Sequence, residues 1–396
     1  MATRREFDYD VCIVGLKCWD LITGAESPKY LGGIESDLVT LARLLASEGL
    51  RVALIVYDES QPAVVDVDGI SVCRCFSESA GLPLLRFLIP RATGILRTIS
   101  RVRSRYVLQM GAGVETGWSA IATKWLARGR KFLFLVGSDT DCMASLPRID
   151  KLRERVVYRI GLKLADRVVA QTDAQAALLK SEFDISAAIL RLPNTFRSEM
   201  SSSSEQNISP PPRNESGFRI LWVGRTDANK RPHWMLELAS AYPEHRIDIV
   251  GAANIDDSYS RQFREDAARF DNVALHGKVP RGELARLYGS ADVLCCTSEF
   301  EGFPTTFLEA WSYGLPTVST VDPGQYLSRY KAGSTVASIE EFLAAVSPKS
   351  LMRSGDAWSE NAEQLYDEHF SPQACLRRFT EVLGDVAPEQ AVDTRT

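Results

Sequence analysis

Apolar residues in this chain come in short dense runs separated by helically spaced segments. Tyr9-Asp10-Val11-Cys12-Ile13-Val14-Gly15 predicts a strand, Ser36 to Glu48 a helix, and Arg51-Val52-Ala53-Leu54-Ile55-Val56-Tyr57 a second strand. Further strands are expected at Tyr106 to Gln109, Lys131 to Val136 and Arg167 to Ala170, with helices between them. Strands that read as continuous apolar runs and alternate with helices imply an α/β fold with a parallel sheet covered on both faces.

The alternation breaks at Phe196 to Gly217, where a serine run (201–204) and a proline run (210–212) leave almost no large apolar residues. That is linker composition. It restarts with the strands Arg219 to Gly224 and Ile247 to Gly251, so two parallel-sheet domains are expected. The boundaries implied are 1–195, a linker at 196–217, a second domain at 218–371, and a C-terminal helix and tail at 372–396.

Bulk properties narrow the classes. At 396 residues the chain is too long for one ordinary core. A hydrophobic fraction of 45% with 24% charged residues suits a soluble globular protein, and a net charge of −5 argues against a nucleic-acid binder. None of the eight cysteines forms a Cys-x-x-Cys pair, and several lie in strand-like runs, which fits a reduced, cytoplasmic setting. Met1 to Asp10 is charged and lacks an apolar signal core, and no apolar run approaches the roughly 18–20 residues that span a bilayer.

Two segments carry candidate chemistry. In Ser298-Glu299-Phe300-Glu301-Gly302-Phe303-Pro304-Thr305-Thr306-Phe307-Leu308-Glu309, seven residues separate Glu301 from Glu309. The apolar run Val293 to Cys296 precedes them, so the unit reads as strand, tight loop and helix, with one acid in the loop and one in the helix. Ligands of open α/β sheets bind at the C-terminal ends of strands, and a helix N-terminus favours phosphate. The second segment is Val223-Gly224-Arg225-Thr226-Asp227-Ala228-Asn229-Lys230-Arg231-Pro232, a strand end followed by two cations before a proline suited to open a helix. Arg offers a fork for phosphate oxygens and Lys a compact charge.

Together these segments resemble the E-x7-E and G-R-x4-K elements of retaining glycosyltransferases of family 4. The resemblance implies the GT-B fold, two Rossmann-like domains facing across a cleft, with the C-terminal helix crossing back to the first domain. It implies a nucleotide-diphosphate sugar as substrate, no further cofactor and no metal. Arg225 and Lys230 would hold the diphosphate, Glu301 would orient the sugar and Glu309 would bind the ribose. The Gly302-Phe303-Pro304 turn and the backbone at Thr305 and Thr306 would complete the donor site. Backbone near Val279, in His276 to Pro280, would meet the base, and Gly33 of Gly32-Gly33-Ile34-Glu35 would let backbone approach phosphate or sugar.

Two departures stand out. Many relatives have a histidine at the end of a first-domain strand, whereas the histidines here are His233, His245, His276 and His369. The corresponding strand runs into Gly137-Ser138-Asp139-Thr140-Asp141, where Ser138 or Asp139 is expected to supply the sugar or acceptor contact. Thr320 to Gln325 also lacks the family's Gly-Gly-x-x-Glu. Two further motifs match other classes in part. Asp139-Thr140-Asp141 matches a metal-binding D-x-D, but the second domain has no place in that fold. Gly111 to Gly117 approximates a dinucleotide fingerprint, but its last glycine comes one residue late.

The acceptor expected is a glycan or a lipid-linked molecule, in cell-surface polysaccharide or glycolipid synthesis. Arg86 to Arg105 contains six arginines and no acid, which suggests peripheral contact with an anionic membrane at the inner face. The alternatives are a non-catalytic sugar-nucleotide-binding homologue and an epimerase on a GT-B-like fold.

Overall fold

The computed structural model describes residues 7–25, 29–30, 32–81, 86–126, 129–190, 217–252, 258–301 and 303–384. Of the segment 196–217, expected to be a linker, all but Gly217 lies outside them. The chain divides into two compact units, with breaks at 193/194 and 374/375. The first therefore takes in the C-terminal residues from Cys375 on.

The first unit is built on eight strands: β1 (Tyr9–Val14), β2 (Val52–Val56), β3 (Val64–Val67), β4 (Ile70–Arg74), β5 (Ser104–Met110), β6 (Lys131–Leu135), β7 (Arg167–Ala170) and β8 (Ala188–Ile189). Their order across the sheet is β3-β4-β2-β1-β5-β6-β7-β8, parallel except for the edge pair β3–β4. The edge hairpin turns through Asp68 and Gly69, with φ of 53° and 79°. Consecutive positive-φ residues are what a two-residue hairpin of the right twist requires. All five residues of β2 are buried, which explains why it reads as an unbroken apolar run.

Each face of this sheet has its own core. Leu38, Leu41 and Leu45 of the helix Gly33–Ser47 share one face with Cys375, Phe379 and Leu383 of the helix Pro372–Leu383. The Tyr106 hydroxyl, buried beneath that helix, donates to the Leu383 carbonyl at 3.2 Å. On the other face lie the helices Thr93–Arg101, Val114–Leu126, Leu152–Leu164 and Asp173–Phe183. The middle two meet at Gly117 and Gly161. A Cβ on Gly117 would stand 2.2 Å from the Val157 carbonyl oxygen, and one on Gly161 2.8 Å from the Gly117 Cα. The last glycine of the apparent dinucleotide fingerprint therefore serves helix packing.

The second unit has six parallel strands: β9 (Arg219–Val223), β10 (Arg246–Val250), β11 (Val273–Gly277), β12 (Val293–Cys296), β13 (Thr317–Ser319) and β14 (Gly333–Thr335). Their order is β11-β10-β9-β12-β13-β14. The chain moves outward from β9 in one direction and then returns to lay β12 on its other side, so β9 and β12 flank the point where the order reverses. Trp222 on β9 and Trp311 on the helix Thr305–Ser312 are both buried with their indole N–H groups satisfied. They donate to the hydroxyls of Thr297 at 3.0 Å and Thr317 at 3.2 Å.

No helix among the described residues is long and apolar enough to cross a membrane.

Candidate functional site

Crevices in open α/β sheets form at the carboxyl ends of strands where the strand order reverses. In the second unit that point lies between β9 and β12, and both candidate segments leave the sheet there. After β9 the chain passes Gly224, Arg225 and Thr226 into a tight turn at Ala228–Lys230. After β12 it passes Ser298 and Glu301 to the helix Thr305–Ser312.

Hydrogen bonds knit the two segments together. The Thr297 hydroxyl donates to the Lys230 carbonyl at 2.7 Å, and the Glu299 N–H donates to the Asn229 carbonyl at 2.8 Å. Arg231, with φ of 49°, turns its guanidinium across the gap. Its Nε donates to the Thr297 carbonyl at 2.7 Å, and its NH2 group to that of Ser298 at 3.0 Å. The same guanidinium stacks on the Trp234 ring at 4.6 Å, which fixes its plane.

Seventy-one residues apart, Lys230 and Glu301 meet as an ion pair, each side chain 18% exposed. The Ser298 hydroxyl donates to the same Glu301 oxygen at 2.7 Å. Arg225 is about half exposed, its Nε 3.2 Å from the Asp227 carboxylate. Arg225, Lys230, Ser298, Glu301, Phe303, Pro304, Thr305 and Thr306 line one pocket of about 330 Å³. Gly302 lies outside the described residues. Pro304 precedes the helix without a side-chain cap, and Thr305 and Thr306 of its first turn line this pocket.

Glu309 and Val279 are not among the lining residues. Glu309 accepts a 2.8 Å hydrogen bond from the Tyr288 hydroxyl. Burial, reinforced by the neighbouring carboxylate, pushes that phenol well above its ordinary range, so it stays a donor. Val279 packs partly buried against the apolar cluster around Phe307 and Trp311. Nearby, His276 Nε2 lies 2.7 Å from the Asp248 carboxylate.

The remaining candidates belong to the first unit. That unit has its own pocket of about 310 Å³ at the reversal between β1 and β5, lined by residues that include Gly15, Lys17, Glu35, Gly113 and Asp141. Gly33 opens the helix Gly33–Ser47 without lining it. Ser138 and Asp139 are occupied in a tight turn: the Ser138 hydroxyl is 2.7 Å from that of Thr140, and Asp139 accepts from Gln175 at 3.0 Å. Asp141, singled out only within the D-x-D decoy, is the acid that reaches the pocket. Its carboxylate accepts from the amides of Gly137 and Ser138 at 2.8 and 3.1 Å. Desolvation raises its pKa against the pull of those amides. Asp139 and Asp141 thus hold separate partners, and no cluster suited to a metal ion occurs among the described residues.

Open space around Gly33 offers a direct test of its expected role. A Cβ there would meet nothing within 4 Å. Gly33→Ala is therefore expected to keep or slightly raise stability, by up to about 1 kcal/mol. If the melting temperature holds while donor turnover falls, the glycine serves close approach to a ligand. Unchanged turnover assigns it to helix entry alone.

Residues 203–341 match the family model described as glycosyl transferases group 1. This part of the chain belongs to that family. Mannosylfructose-phosphate synthase of Agrobacterium fabrum is 28% identical over 192 residues, 44% of this chain and 40% of that protein. The lipopolysaccharide 1,6-galactosyltransferase of Salmonella typhimurium is 30% identical over 118 residues, 28% of this chain and 33% of that one. The matched region thus spans less than half the length of these relatives. Among solved structures, Anabaena HepE in complex with UDP superposes with a TM-score of 0.66 at 15% identity, covering 95% of this chain and 100% of that one. A glycosyltransferase from Rickettsia africae gives 0.67 at 18% identity, covering 96% and 99%. The two parallel α/β units have the fold of GT-B glycosyltransferases, and the group 1 match covers most of the unit that carries Arg225, Lys230, Glu301 and Glu309.

Proposed function

We propose that the protein is a retaining glycosyltransferase that moves a sugar from a nucleotide-diphosphate donor to a hydroxyl of a glycan or lipid-linked acceptor, in cell-surface polysaccharide or glycolipid synthesis. The observation that carries this reading is the meeting of Lys230 and Glu301 from adjacent strands at the sheet's reversal, beside Arg225 and an uncapped helix N-terminus. A cation held in place and an acid beside it suit a group that becomes more negative as it leaves. The relatives' names support the same chemistry, since one is a galactosyltransferase and another was solved with UDP.

In this scheme the bond from the anomeric carbon to the diphosphate oxygen breaks, and the acceptor oxygen bonds to the same carbon on the same face. The acceptor proton passes to the departing phosphate oxygen. Arg225 and Lys230 stabilise the charge that develops there. Lys230 has three N–H donors, so it can keep Glu301 in place while it binds phosphate. Glu301 orients the sugar hydroxyls, and Glu309, oriented by Tyr288, holds the ribose.

Calorimetric titration with UDP, GDP, ADP and their sugar conjugates tests the donor site. One nucleotide is expected to bind selectively, with Glu309→Ala abolishing measurable binding. Tyr288→Phe, which removes only the hydroxyl that orients Glu309, is expected to weaken binding by about tenfold. Absence of binding by the wild-type protein to every nucleotide would refute the reading.

A further inference from the structure

The outer surface of the first unit's helical layer carries exposed apolar side chains among its charged ones. The helix Leu152–Leu164 buries Val157, Tyr158, Gly161 and Leu162, which is its core-facing side. Leu152, Val156 and Ile160, spaced four apart, form a second apolar stripe and are 74%, 47% and 40% exposed. Trp125, on the neighbouring helix, is 77% exposed, and Leu88 and Ile89 are 49% and 60% exposed.

These residues form one surface. At one end, the Lys124–Asp166 ion pair at 2.5 Å ties Trp125's helix to the Ile160 end of the stripe. At the other, the Arg153 guanidinium lies 5.0 Å from the centre of the Phe87 ring, and Phe87 meets Trp118 edge-on. That brings Leu88 and Ile89 to the Leu152 end. Single exposed apolar side chains are ordinary, but a continuous band is a mark of contact with something.

Charge tells what that something is. Although the chain carries a net −5, residues 148–167 contain seven basic side chains against three acidic ones, and 86–105 contain six arginines and no acid. Lys151, Arg153, Arg159 and Lys163 are exposed along the same helix as the stripe, while Glu154 is mostly covered and paired with Lys151 at 3.7 Å. Arg97 and Arg101 are exposed on the helix packed beside Val114–Leu126. A tryptophan and aliphatic side chains interleaved with long cations match the interface of an anionic bilayer: apolar groups enter the acyl boundary and cations meet lipid phosphates.

We propose that this face docks on an anionic phospholipid surface, with Trp125, Leu152, Val156 and Ile160 seated among the headgroups. The docking is independent of the transferase reading, because none of these residues lines the donor pocket.

Co-sedimentation of the full chain with phosphatidylcholine vesicles, with and without phosphatidylglycerol, tests it. The wild-type protein is expected to pellet with the phosphatidylglycerol vesicles, to stay in solution with pure phosphatidylcholine, and to be released as salt rises. The exposed-face variant Trp125→Ser/Val156→Ser/Ile160→Ser and the charge variant Lys151→Glu/Lys163→Glu are each expected to lower partitioning about tenfold or more. Circular dichroism and melting serve as the folding control. Should the apolar variant unfold, the charge variant decides alone. Failure of the wild-type protein to bind either vesicle overturns the proposal, as does undiminished binding by folded variants. Light scattering without lipid supplies a further outcome: a dimer that the apolar variant separates would assign the face to a second copy and equally overturn it.

Discussion

Lys230→Ala is expected to lower turnover by about two to three orders of magnitude while the protein stays folded. The site is at the surface of the second unit, and the turn that carries Lys230 is held by its backbone, whose carbonyl accepts from Thr297. Removing the side chain therefore leaves the turn in place. On the proposed reading, the loss is of the cation that would meet the leaving diphosphate; Glu301 keeps Ser298 but loses its ion-pair partner. Glu301→Ala is expected to produce a loss of similar size by the converse route, leaving Lys230 without the acid that fixes its position. Release of nucleoside diphosphate from the donor that the wild-type protein binds provides the assay. Nucleotide affinity should fall much less than turnover, because an interaction strengthened in the transition state acts on the rate more than on binding. Near-normal turnover by either folded variant would sink the assignment of these two residues.

Gly117→Val is expected to destabilise the first unit by about 3 kcal/mol or more, toward the upper range for overpacked sites. The reason is what the new side chain would meet. A Cβ at this position would lie 2.2 Å from the Val157 carbonyl oxygen and 2.7 Å from its carbonyl carbon. These are backbone atoms of the helix Leu152–Leu164, so no rotamer change can clear them. The two helices must move apart, and the core beneath them, including Ala120 and Tyr158, must open. Urea or thermal unfolding followed by circular dichroism measures the effect. Wild-type stability in the variant would refute the close helix contact.

Part of the fold was legible because local pattern suffices for it. Runs such as Val52–Val56 are apolar throughout because a central parallel strand is covered on both faces, so strand and parallel sheet are read together. The hairpin of β3 and β4 has a local signal as well, Asp68-Gly69 between two short strand-forming runs, though these runs are shorter and less apolar than the central strands. Helix ends were less secure. The helix expected from Ser36 begins at Gly33: Ile34 extends the apolar spacing of Leu38 and Leu41 back by one turn, but Gly32-Gly33 supplies no side-chain cap to mark the start.

The candidate site divides along the same line. Spacing and residue type were enough to single out Arg225, Lys230, Glu301 and Glu309, since each lies on a local strand–loop–helix unit. Arg231, Ser298 and Tyr288, which hold them in place, carry no such signal. Arg231 and Tyr288 depend on partners 66 and 21 residues away in sequence, brought together by folding, while Ser298 reaches Glu301 three residues on through the local turn of the loop. Asp141 and Ser138 differ by three positions, and only the turn between them decides that Asp141 reaches the pocket while the Ser138 hydroxyl turns toward Thr140.

The amino-acid sequence by itself thus determined the α/β class and the chemical groups offered at the candidate site, because apolar periodicity and short-range spacing act within single elements. Tertiary structure decided which elements became neighbours. Strand pairing placed β12 against β9 and so brought Glu301 to Lys230. Helix packing buried Val157 and Tyr158 and left Val156 and Ile160 outside. On a helix with apolar residues on two sides, periodicity cannot choose between them; the close approach at Gly117 and Gly161 does.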